Sequence, residues 1–467
     1  MRLTIIGAGP GGYVAAIRAA QRGAAVTVIE EAEVGGTCLH WGCIPTKCLI
    51  ASADALERAR HASGLGIEIP GPVTYSLARI QERTAKVVST QVKGIRAQLK
   101  KLGVKVIPGK GLLIDANVAR AVQADGTTQD LRSDAVILAT GSRPALLPGF
   151  PFDGASVLTS DDAVRMQKVP ESIVIVGAGV IGCEFAFIYR TLGAAVTLVE
   201  TMPRALVTED EEIAGIIERE FKKTRIRLLT QVQVRSAAKR ADGMVALALS
   251  NGQEVAAEQV LVAAGRTVNS GGLGLEAVGV RTGRRQEITV NDRMETSVPG
   301  IYAVGDVTGT VMLAHVASHQ GIVAAENSMG GDARMEYAAV PSATFTMPEI
   351  GSVGLREQQA EEQGVRVRIG RFPYRSLGKA HVMGEYTGMV KVIADAATDR
   401  VVGVHICGAH ATDLIHEGVL AVRTGATAKQ LAETIHAHPT LAEAVMEAAA
   451  DVHGEAIHVL REDATEK

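Results

Sequence analysis

The residues best suited to chemistry are two cysteines in a glycine-rich segment near the N-terminus. Cys38 and Cys43 lie five residues apart in the segment GGTCLHWGCIPTKC (residues 35–48), and Cys48 follows after another five. In a regular helix this spacing separates Cα atoms by roughly 8.6 Å, beyond the limit of about 7 Å for a disulfide. A Cys38–Cys43 disulfide therefore needs an irregular helix start, which Gly42 permits. Spacing alone leaves both pairings open, although Cys48, with no glycine beside it, is predicted to be a buried helical thiol.

A pair of cysteines can exchange electrons with a substrate dithiol, because a thiolate attacks a disulfide sulfur. A free thiol has a pKa of about 8.5 and is mostly protonated at neutral pH, so such a site also needs a base. The chain has five cysteines in 467 residues, too few for a secreted disulfide scaffold. We therefore expect a reducing compartment, the cytoplasm, in which a disulfide would be catalytic or redox-sensing.

Two copies of a nucleotide-binding pattern provide the elements that must position these cysteines. Each copy predicts a buried strand, a G-x-G-x-x-G turn, a helix and a second buried strand that ends in glutamate. The residues of the two copies are Gly7, Gly9, Gly12 and Glu30, then Gly177, Gly179, Gly182 and Glu200. In both copies the glutamate follows the last glycine by 18 residues. The chain is thus predicted to contain two βαβ units, each with a complete dinucleotide fingerprint.

Each fingerprint residue has its own physical role. The first glycine allows a tight turn, the second lets a pyrophosphate approach backbone N–H groups, and the third lets the helix pack on the strand. The helix start then offers unpaired N–H groups to the phosphates. The terminal carboxylate accepts hydrogen bonds from a ribose diol and repels a 2′-phosphate, so Glu200 favours NAD over NADP. Arg204 weakens this preference, because an arginine can bind that phosphate.

Three further strands are predicted to end beside the bound nucleotides. Residues 134–144 and 259–266 form matching buried strands that end in small residues, where backbone can approach a ligand. A third strand, residues 300–306, ends in an aspartate that can accept hydrogen bonds from a cofactor sugar chain. The residues at these strand ends are Thr140, Gly141, Ser142, Gly265, Gly305 and Asp306.

Composition argues against two classes of partner. The net charge is −3 and aromatic residues make up 3% of the chain, whereas nucleic-acid binders usually carry a basic surplus and stacking rings. The sequence has no run of 18 apolar residues, which a membrane-spanning helix needs. We therefore expect neither a nucleic-acid partner nor a membrane, and no histidine has the spacing of a metal ligand.

Taken together, the motifs resemble the disulfide-containing flavoproteins of the class I pyridine nucleotide-disulfide oxidoreductase family. The resemblance rests on GGTC-x4-CIPTK, the two fingerprints, the YAVGD strand and the late segment HAHPTLAE (residues 436–443). It covers almost the whole chain, with the motifs in the expected order. Within the family, the late segment is most similar to enzymes that oxidise dihydrolipoyl groups.

The resemblance implies a division of labour at the redox centre. Cys43 would face a flavin as a thiolate, and Cys38 would be the interchange thiol that forms a mixed disulfide with the substrate. His438, oriented by Glu443, would be the acid–base residue and would come from the other subunit of a homodimer. Two alternatives stay open: His436 is a rival base, and Glu443 also fits a capping box with Thr440.

The same resemblance implies how the cofactors are held. Glu30 would bind the FAD adenosine ribose, Asp306 the ribityl region and Glu200 the NAD ribose. Lys47 and Glu184 would form an ion pair near the flavin ring, and Thr37 belongs to the cofactor-binding set.

The implied fold class is α/β, with two Rossmann-like domains and a C-terminal α+β dimerisation domain. The predicted segments are an FAD-binding domain (1–145), an NAD-binding domain (146–268), a central segment that completes the FAD site (269–338) and an interface domain (339–467). A helical stretch is predicted over residues 429–460, with a break at His438-Pro439.

The implied reaction is flavin-dependent oxidation of protein-bound dihydrolipoyl groups with reduction of NAD. The lipoyl carrier, of the 2-oxoacid dehydrogenase or glycine-cleavage type, is expected in trans, because no lipoyl domain precedes Met1. The alternatives are a related reductase of glutathione, trypanothione, mercuric ion or a quinone, and a nucleotide-binding scaffold without turnover. The tail, residues 461–467, has no cysteine pair, unlike that of mercuric or large thioredoxin reductases.

Overall fold

The computed structural model of the protein describes residues 1–459. The cysteine-free tail at 461–467 and the last residue of the predicted 429–460 stretch lie outside the described residues. The α-helices within the described part are α1 (Pro10–Gln21), α2 (Gly36–His40), α3 (Cys43–Arg60), α4 (Leu77–Lys101), α5 (Ser160–Ala163), α6 (Val180–Thr191), α7 (Glu211–Lys223), α8 (Leu275–Val278), α9 (Ala314–Ser328), α10 (Glu357–Gln363), α11 (Gly378–Met383), α12 (Ala411–Thr424), α13 (Ala428–Glu433) and α14 (Glu443–Asp451).

The β-strands of the same residues form six sheets. In chain order the strands are β1 (Arg2–Ile6), β2 (Ala25–Glu30), β3 (Lys105–Pro108), β4 (Lys110–Asp115), β5 (Val118–Val122), β6 (Thr128–Arg132), β7 (Ala135–Leu138), β8 (Ser142–Pro144), β9 (Val157–Leu158), β10 (Ser172–Val176), β11 (Ala195–Val199), β12 (Arg227–Leu229), β13 (Val234–Lys239), β14 (Val245–Leu249), β15 (Glu254–Ala257), β16 (Gln259–Val262), β17 (Arg266–Val268), β18 (Ile301–Ala303), β19 (Ser342–Thr344), β20 (Glu349–Gly354), β21 (Val367–Pro373), β22 (Met389–Asp395) and β23 (Val401–Gly408).

Two parallel five-stranded sheets carry the repeated units. The first has the order β18-β7-β1-β2-β3 and the second β12-β11-β10-β16-β9. The central strands β1 and β10 are almost wholly buried and apolar, as parallel strands covered on both faces must be. Three-stranded antiparallel sheets, β4-β5-β6 and β13-β14-β15, accompany the two units.

The segment after the second unit returns to the first. Strand β18 adds to the edge of the first sheet beside β7, and α9 packs against α1. The antiparallel pair β8–β17 joins the residues after β7 to those after β16. The predicted central segment, residues 269–338, thus contributes strand β18 to the first unit's sheet. The domain boundaries themselves remain a prediction.

The last unit is an antiparallel sheet, β19-β20-β23-β22-β21, with α12 and α14 packed on it. The predicted helix over 429–460 is wrong in its extent, because α13 ends at Glu433 and α14 runs only from Glu443 to Asp451. The intervening loop includes Pro439, which has no N–H to donate to a helix. Among residues 1–459, no helix combines the length and apolar character needed to cross a bilayer.

The third glycine of each fingerprint is required by close packing. A Cβ atom added to Gly12 would lie 1.9 Å from the Gly7 carbonyl oxygen, and one added to Gly182 would lie 1.9 Å from that of Gly177. The identical clash in both units shows that the repeat extends to the packing of helix on strand.

This geometry predicts that Gly182→Ala destabilises the second unit by about 1–3 kcal/mol, since the added methyl group must displace backbone. Gly179→Ala is the matched control, because its Cβ would meet nothing within 4 Å and its φ is −75°. Urea unfolding followed by circular dichroism measures both. Equal losses of stability in the two variants would contradict the packing explanation.

Candidate active site

One large cavity, of about 1280 Å³, lies where the carboxyl ends of the first parallel sheet meet α3 and α6. It exceeds the range of about 300–1,000 Å³ usual for small-molecule sites, as a dinucleotide requires. The predicted residues that line it are Gly7, Gly9, Glu30, Thr37, Cys38, Cys43, Lys47, Thr140, Gly141, Ser142, Glu184, Gly305 and Asp306.

Other predicted residues lie elsewhere. Gly12 is packed beneath the cavity against Gly7. The predicted residues of the second fingerprint are also absent from the lining, as far as the structure describes the chain. Two of their neighbours on α6, Val180 and Ile181, do line the cavity. The interface-domain pair His438 and Glu443 is likewise outside this lining within a single chain. The predicted second-unit residues that do not line the cavity are Gly177, Gly179, Gly182, Glu200 and Gly265.

The residues at the first fingerprint fit an adenine dinucleotide. The Glu30 carboxylate, at the end of β2, accepts the N–H groups of Ala8 (2.5 Å) and Ala32 (2.8 Å), which fixes it at the cavity wall. Burial raises its pKa above the ordinary value. Among residues 1–459 no side chain caps the start of α1, so its first N–H groups are available to phosphate. These donors, with a carboxylate for the ribose, match the chemistry of FAD.

Asp306 is held in a small polar network at the same wall. Its carboxylate accepts a hydrogen bond from the Ser142 hydroxyl (2.5 Å), and the Arg266 Nε donates to that hydroxyl (2.7 Å). Arg266 was not among the predicted site residues, although it directly follows Gly265 at the end of a predicted strand. Lys110 and Asn269 also line the cavity, and no local pattern marked them.

The two cysteines belong to different helices, as the spacing argument required. Cys38 lies in α2, the helix ends at His40, and Cys43 begins α3. A Cβ on Gly42 would lie 3.1 Å from the Thr37 carbonyl oxygen, so glycine lets the two helices approach. All five cysteines are free thiols, and the interaction between the Cys38 and Cys43 thiols shifts the pKa of each.

This contact makes the two thiols unequal. The hydrogen bond from Cys38, helped by the nearby Lys47 ammonium, lowers the pKa of Cys43 to about 7 against the opposing effect of burial. The same hydrogen bond, together with burial, raises the pKa of Cys38 far above its ordinary value. In the reduced pair, Cys43 is therefore the thiol that ionises near neutral pH, whereas Cys38 keeps its proton.

Lys47 and Glu184 form the ion pair that the family resemblance implied. The Lys47 Nζ lies 2.9 Å from both carboxylate oxygens of Glu184, whose side chain is almost fully buried. Lys47 is one turn along α3 from Cys43, and Glu184 is on α6. The pair therefore joins the first unit to the second directly beside the dithiol.

The second fingerprint repeats the ribose-binding arrangement of the first. Glu200 accepts the N–H groups of Ala178 (2.6 Å) and Met202 (2.9 Å), as Glu30 does in the first unit. Arg204 instead donates to the carbonyl oxygens of Leu206 (2.8 Å) and Glu209 (2.9 Å). Its guanidinium is thus committed to backbone, which removes the reason to expect a 2′-phosphate site.

The two histidines of the late segment differ in what their ring nitrogens do. His438 Nδ1 lies 2.9 Å from Glu443 Oε1, and its side chain is 77% exposed. His436 is 6% exposed and uses Nδ1 on the Thr434 carbonyl (2.7 Å) and Nε2 on Glu417 (2.8 Å). Only His438 of the two keeps a ring nitrogen for a substrate, so the rival assignment to His436 is disfavoured.

Glu443 serves both of the roles considered for it. One oxygen contacts His438, and the other accepts the Thr440 N–H (2.8 Å). Against the effect of burial, these two contacts hold the pKa of Glu443 below its ordinary value. A carboxylate fixed by backbone in this way orients the imidazole.

Residues 1–321 match the family model described as pyridine nucleotide-disulphide oxidoreductase, and residues 340–449 match the dimerisation domain of that family. The chain therefore belongs to the pyridine nucleotide-disulphide oxidoreductases. This membership confirms the family, the α/β fold class and the cofactors FAD and NAD predicted from the sequence. The dimerisation domain also supports the predicted homodimer.

Two relatives and one solved structure are similar to this chain over nearly its whole length. The chain is 42% identical to dihydrolipoyl dehydrogenase of Bacillus subtilis (strain 168), with 98% of each chain covered. It is 39% identical to dihydrolipoyl dehydrogenase of Geobacillus stearothermophilus, over 98% of this chain and 97% of the relative. The crystal structure of LpdA from Mycobacterium tuberculosis superposes with a TM-score of 0.91 at 33% identity, over 96% of this chain and 99% of that one.

The unequal thiols predict which cysteine reacts first with an alkylating agent. In the reduced protein, iodoacetamide should modify Cys43 at a rate that increases with pH, and the midpoint of this pH profile should lie near pH 7. The reason is that only the thiolate reacts. Cys38 should react much more slowly at every pH within roughly two units of that midpoint. Peptide mass spectrometry assigns each adduct, and faster modification of Cys38 would contradict the assignment.

Proposed function

We propose that the protein is a dihydrolipoyl dehydrogenase, which oxidises protein-bound dihydrolipoyl groups to the disulfide and reduces NAD. The observation that carries this proposal is that Cys38 and Cys43, whose thiols interact, both lie at the wall of the dinucleotide cavity. Support comes from the His438–Glu443 dyad and from full-length relatives of that name at about 40% identity.

The oxidised pair, a Cys38–Cys43 disulfide, accepts two electrons by thiol exchange. His438 takes the proton of one substrate thiol, and the resulting thiolate attacks the sulfur of Cys38. Cys43 leaves as a thiolate, and its pKa of about 7 makes it a good leaving group. The product of this step is a mixed disulfide between the substrate and Cys38.

The second substrate thiol then attacks the substrate sulfur of the mixed disulfide. The lipoyl disulfide forms, the bond to Cys38 breaks, and Cys38 receives a proton. At the end one substrate proton is on Cys38 and the other is on His438, while the two electrons reside on the cysteine pair. This proton arrangement, a Cys38 thiol beside a Cys43 thiolate, is the one that the pKa values favour.

FAD, when bound, would supply the two-electron chemistry that links the dithiol to NAD. Glu30 and Asp306 would hold its ribose and ribityl hydroxyls, and the start of α1 would bind its phosphates. Lys47, paired with Glu184, supplies positive charge beside Cys43. Glu200 would bind the ribose of NAD, and the commitment of Arg204 to backbone favours NAD over NADP.

His438 reaches the cysteines across a two-fold axis in this proposal. It lies in the interface unit, outside the cavity of its own chain, while its free ring nitrogen is exposed. A homodimer with isologous interfaces would bring each base to the partner's dithiol and create two shared sites. The lipoyl carrier would be a separate protein, of the 2-oxoacid dehydrogenase or glycine-cleavage type. We infer a cytoplasmic setting from the small number of cysteines in the sequence.

Steady-state assays with free dihydrolipoamide and NAD test the reaction. We expect turnover with this pair, and at least about tenfold lower kcat/KM with NADP, equivalent to about 1.4 kcal/mol of discrimination by Glu200. His438→Gln should lower kcat by about 10²–10⁴-fold, because general base catalysis is lost. Faster reduction of glutathione disulfide with NADPH would reject the proposed substrate.

Mixed dimers test the shared site. Cys43→Ser and His438→Ala homodimers should both be nearly inactive, whereas a heterodimer of the two retains one intact site and should regain up to about half of the wild-type activity. Separately tagged subunits allow the heterodimer to be isolated and assayed. If it stays inactive while each parent folds and binds flavin, the base does not come from the partner.

A further inference from the structure

Phe345 contacts both members of the Lys47–Glu184 pair. Its backbone N–H donates to Glu184 Oε1 (3.0 Å), and its ring centroid lies 4.6 Å from the Lys47 Nζ. The ring also lines the cavity. The ammonium of Lys47 is thus held on one side by a carboxylate and on another by the negative face of an aromatic ring, which is a cation–π contact.

The backbone that carries Phe345 is itself fixed to the second unit. Ser342 and Ser352, on the paired strands β19 and β20, donate to the two carboxylate oxygens of Glu209 at 3.0 and 2.5 Å. Glu209 is buried, at 2% exposure. Because Phe345 follows β19 directly, this anchor limits where its ring and N–H can lie.

We propose that Phe345 is a positioning residue for the redox dithiol: it holds the Lys47 ammonium beside Cys43 and so couples the interface unit to the cysteine pair. In this role it touches no reacting sulfur and acts only through Lys47 and Glu184. The inference rests on the proposed function in one respect, that Cys43 is the thiolate of the reaction.

The direction of the effect follows from the charges around Cys43. Within one chain, the ionisable groups that act on it are Cys38 on α2, Lys47 on α3 and Glu184 on α6; the proposed homodimer would add His438 of the partner subunit, which is the same in every variant tested. Cys38 and Lys47 favour the thiolate, whereas Glu184 opposes it. Without the ring, Lys47 keeps only the attraction of Glu184 and its ammonium moves away from Cys43, so the thiolate becomes less stable.

The experiment is the pH profile of Cys43 alkylation by iodoacetamide in the reduced, flavin-loaded protein. Phe345→Leu keeps the N–H and the apolar bulk but removes the ring, and it should raise the midpoint by about half a pH unit, with roughly threefold slower alkylation at pH 6. Phe345→Tyr keeps the ring and should retain the wild-type midpoint. Lys47→Met sets the upper limit and should shift the midpoint at least as far as Phe345→Leu does.

The outcomes separate positioning from simple packing. A Phe345→Leu midpoint equal to that of the wild type overturns the proposal, as does an equal shift in Phe345→Tyr. If Phe345→Leu does not fold, Phe345→Met replaces it. Thermal unfolding is measured in parallel, and a variant that loses stability without a shift in its alkylation midpoint also overturns the proposal. The assay contains neither dihydrolipoamide nor NAD, so its result is independent of whether the substrate has been identified correctly.

Discussion

The interaction between the Cys38 and Cys43 thiols is the one on which the site depends. It exists because the chain ends one helix at His40 and begins another at Cys43, with Gly42 between them. A continuous helix would hold the two sulfurs apart. The same contact assigns the proton to Cys38 and the negative charge to Cys43, so geometry and electrostatics together give each cysteine its place in thiol exchange.

All three units of the chain meet at this pair. The first unit supplies the cysteines and Lys47, the second supplies Glu184, and the interface unit supplies the Phe345 N–H that binds Glu184. The repeated βαβ scaffold makes the meeting possible, because each copy presents its helix start and strand ends at one edge of a sheet. Burial of the Glu184 carboxylate costs desolvation free energy, which its bonds to Lys47 and to the Phe345 N–H offset.

Features carried by local pattern were predictable from the sequence, whereas features made by distant contacts were not. The two fingerprints, which include Glu30 and Glu200, have a fixed spacing. Gly42 indicated the break between the helices that carry Cys38 and Cys43. Arg204 could not be interpreted locally, because only the fold shows that its guanidinium binds backbone carbonyl groups. Phe345 was missed for the same reason, since its partners lie 161 and 298 residues earlier in the chain. The helix prediction for 429–460 followed alanine content: its break at His438-Pro439 lies in the loop between α13 and α14, but that loop is longer than the sequence indicated.

The most direct test of the account asks which sulfur exchanges with the substrate. A Cys43→Ser variant is mixed with lipoamide, and N-ethylmaleimide traps the released thiol before peptide mass spectrometry. The account predicts a lipoamide adduct on Cys38, formed when its thiolate opens the substrate disulfide, and no comparable adduct on Cys43 in the Cys38→Ser variant. An adduct on Cys43 instead, or none on Cys38, would contradict it.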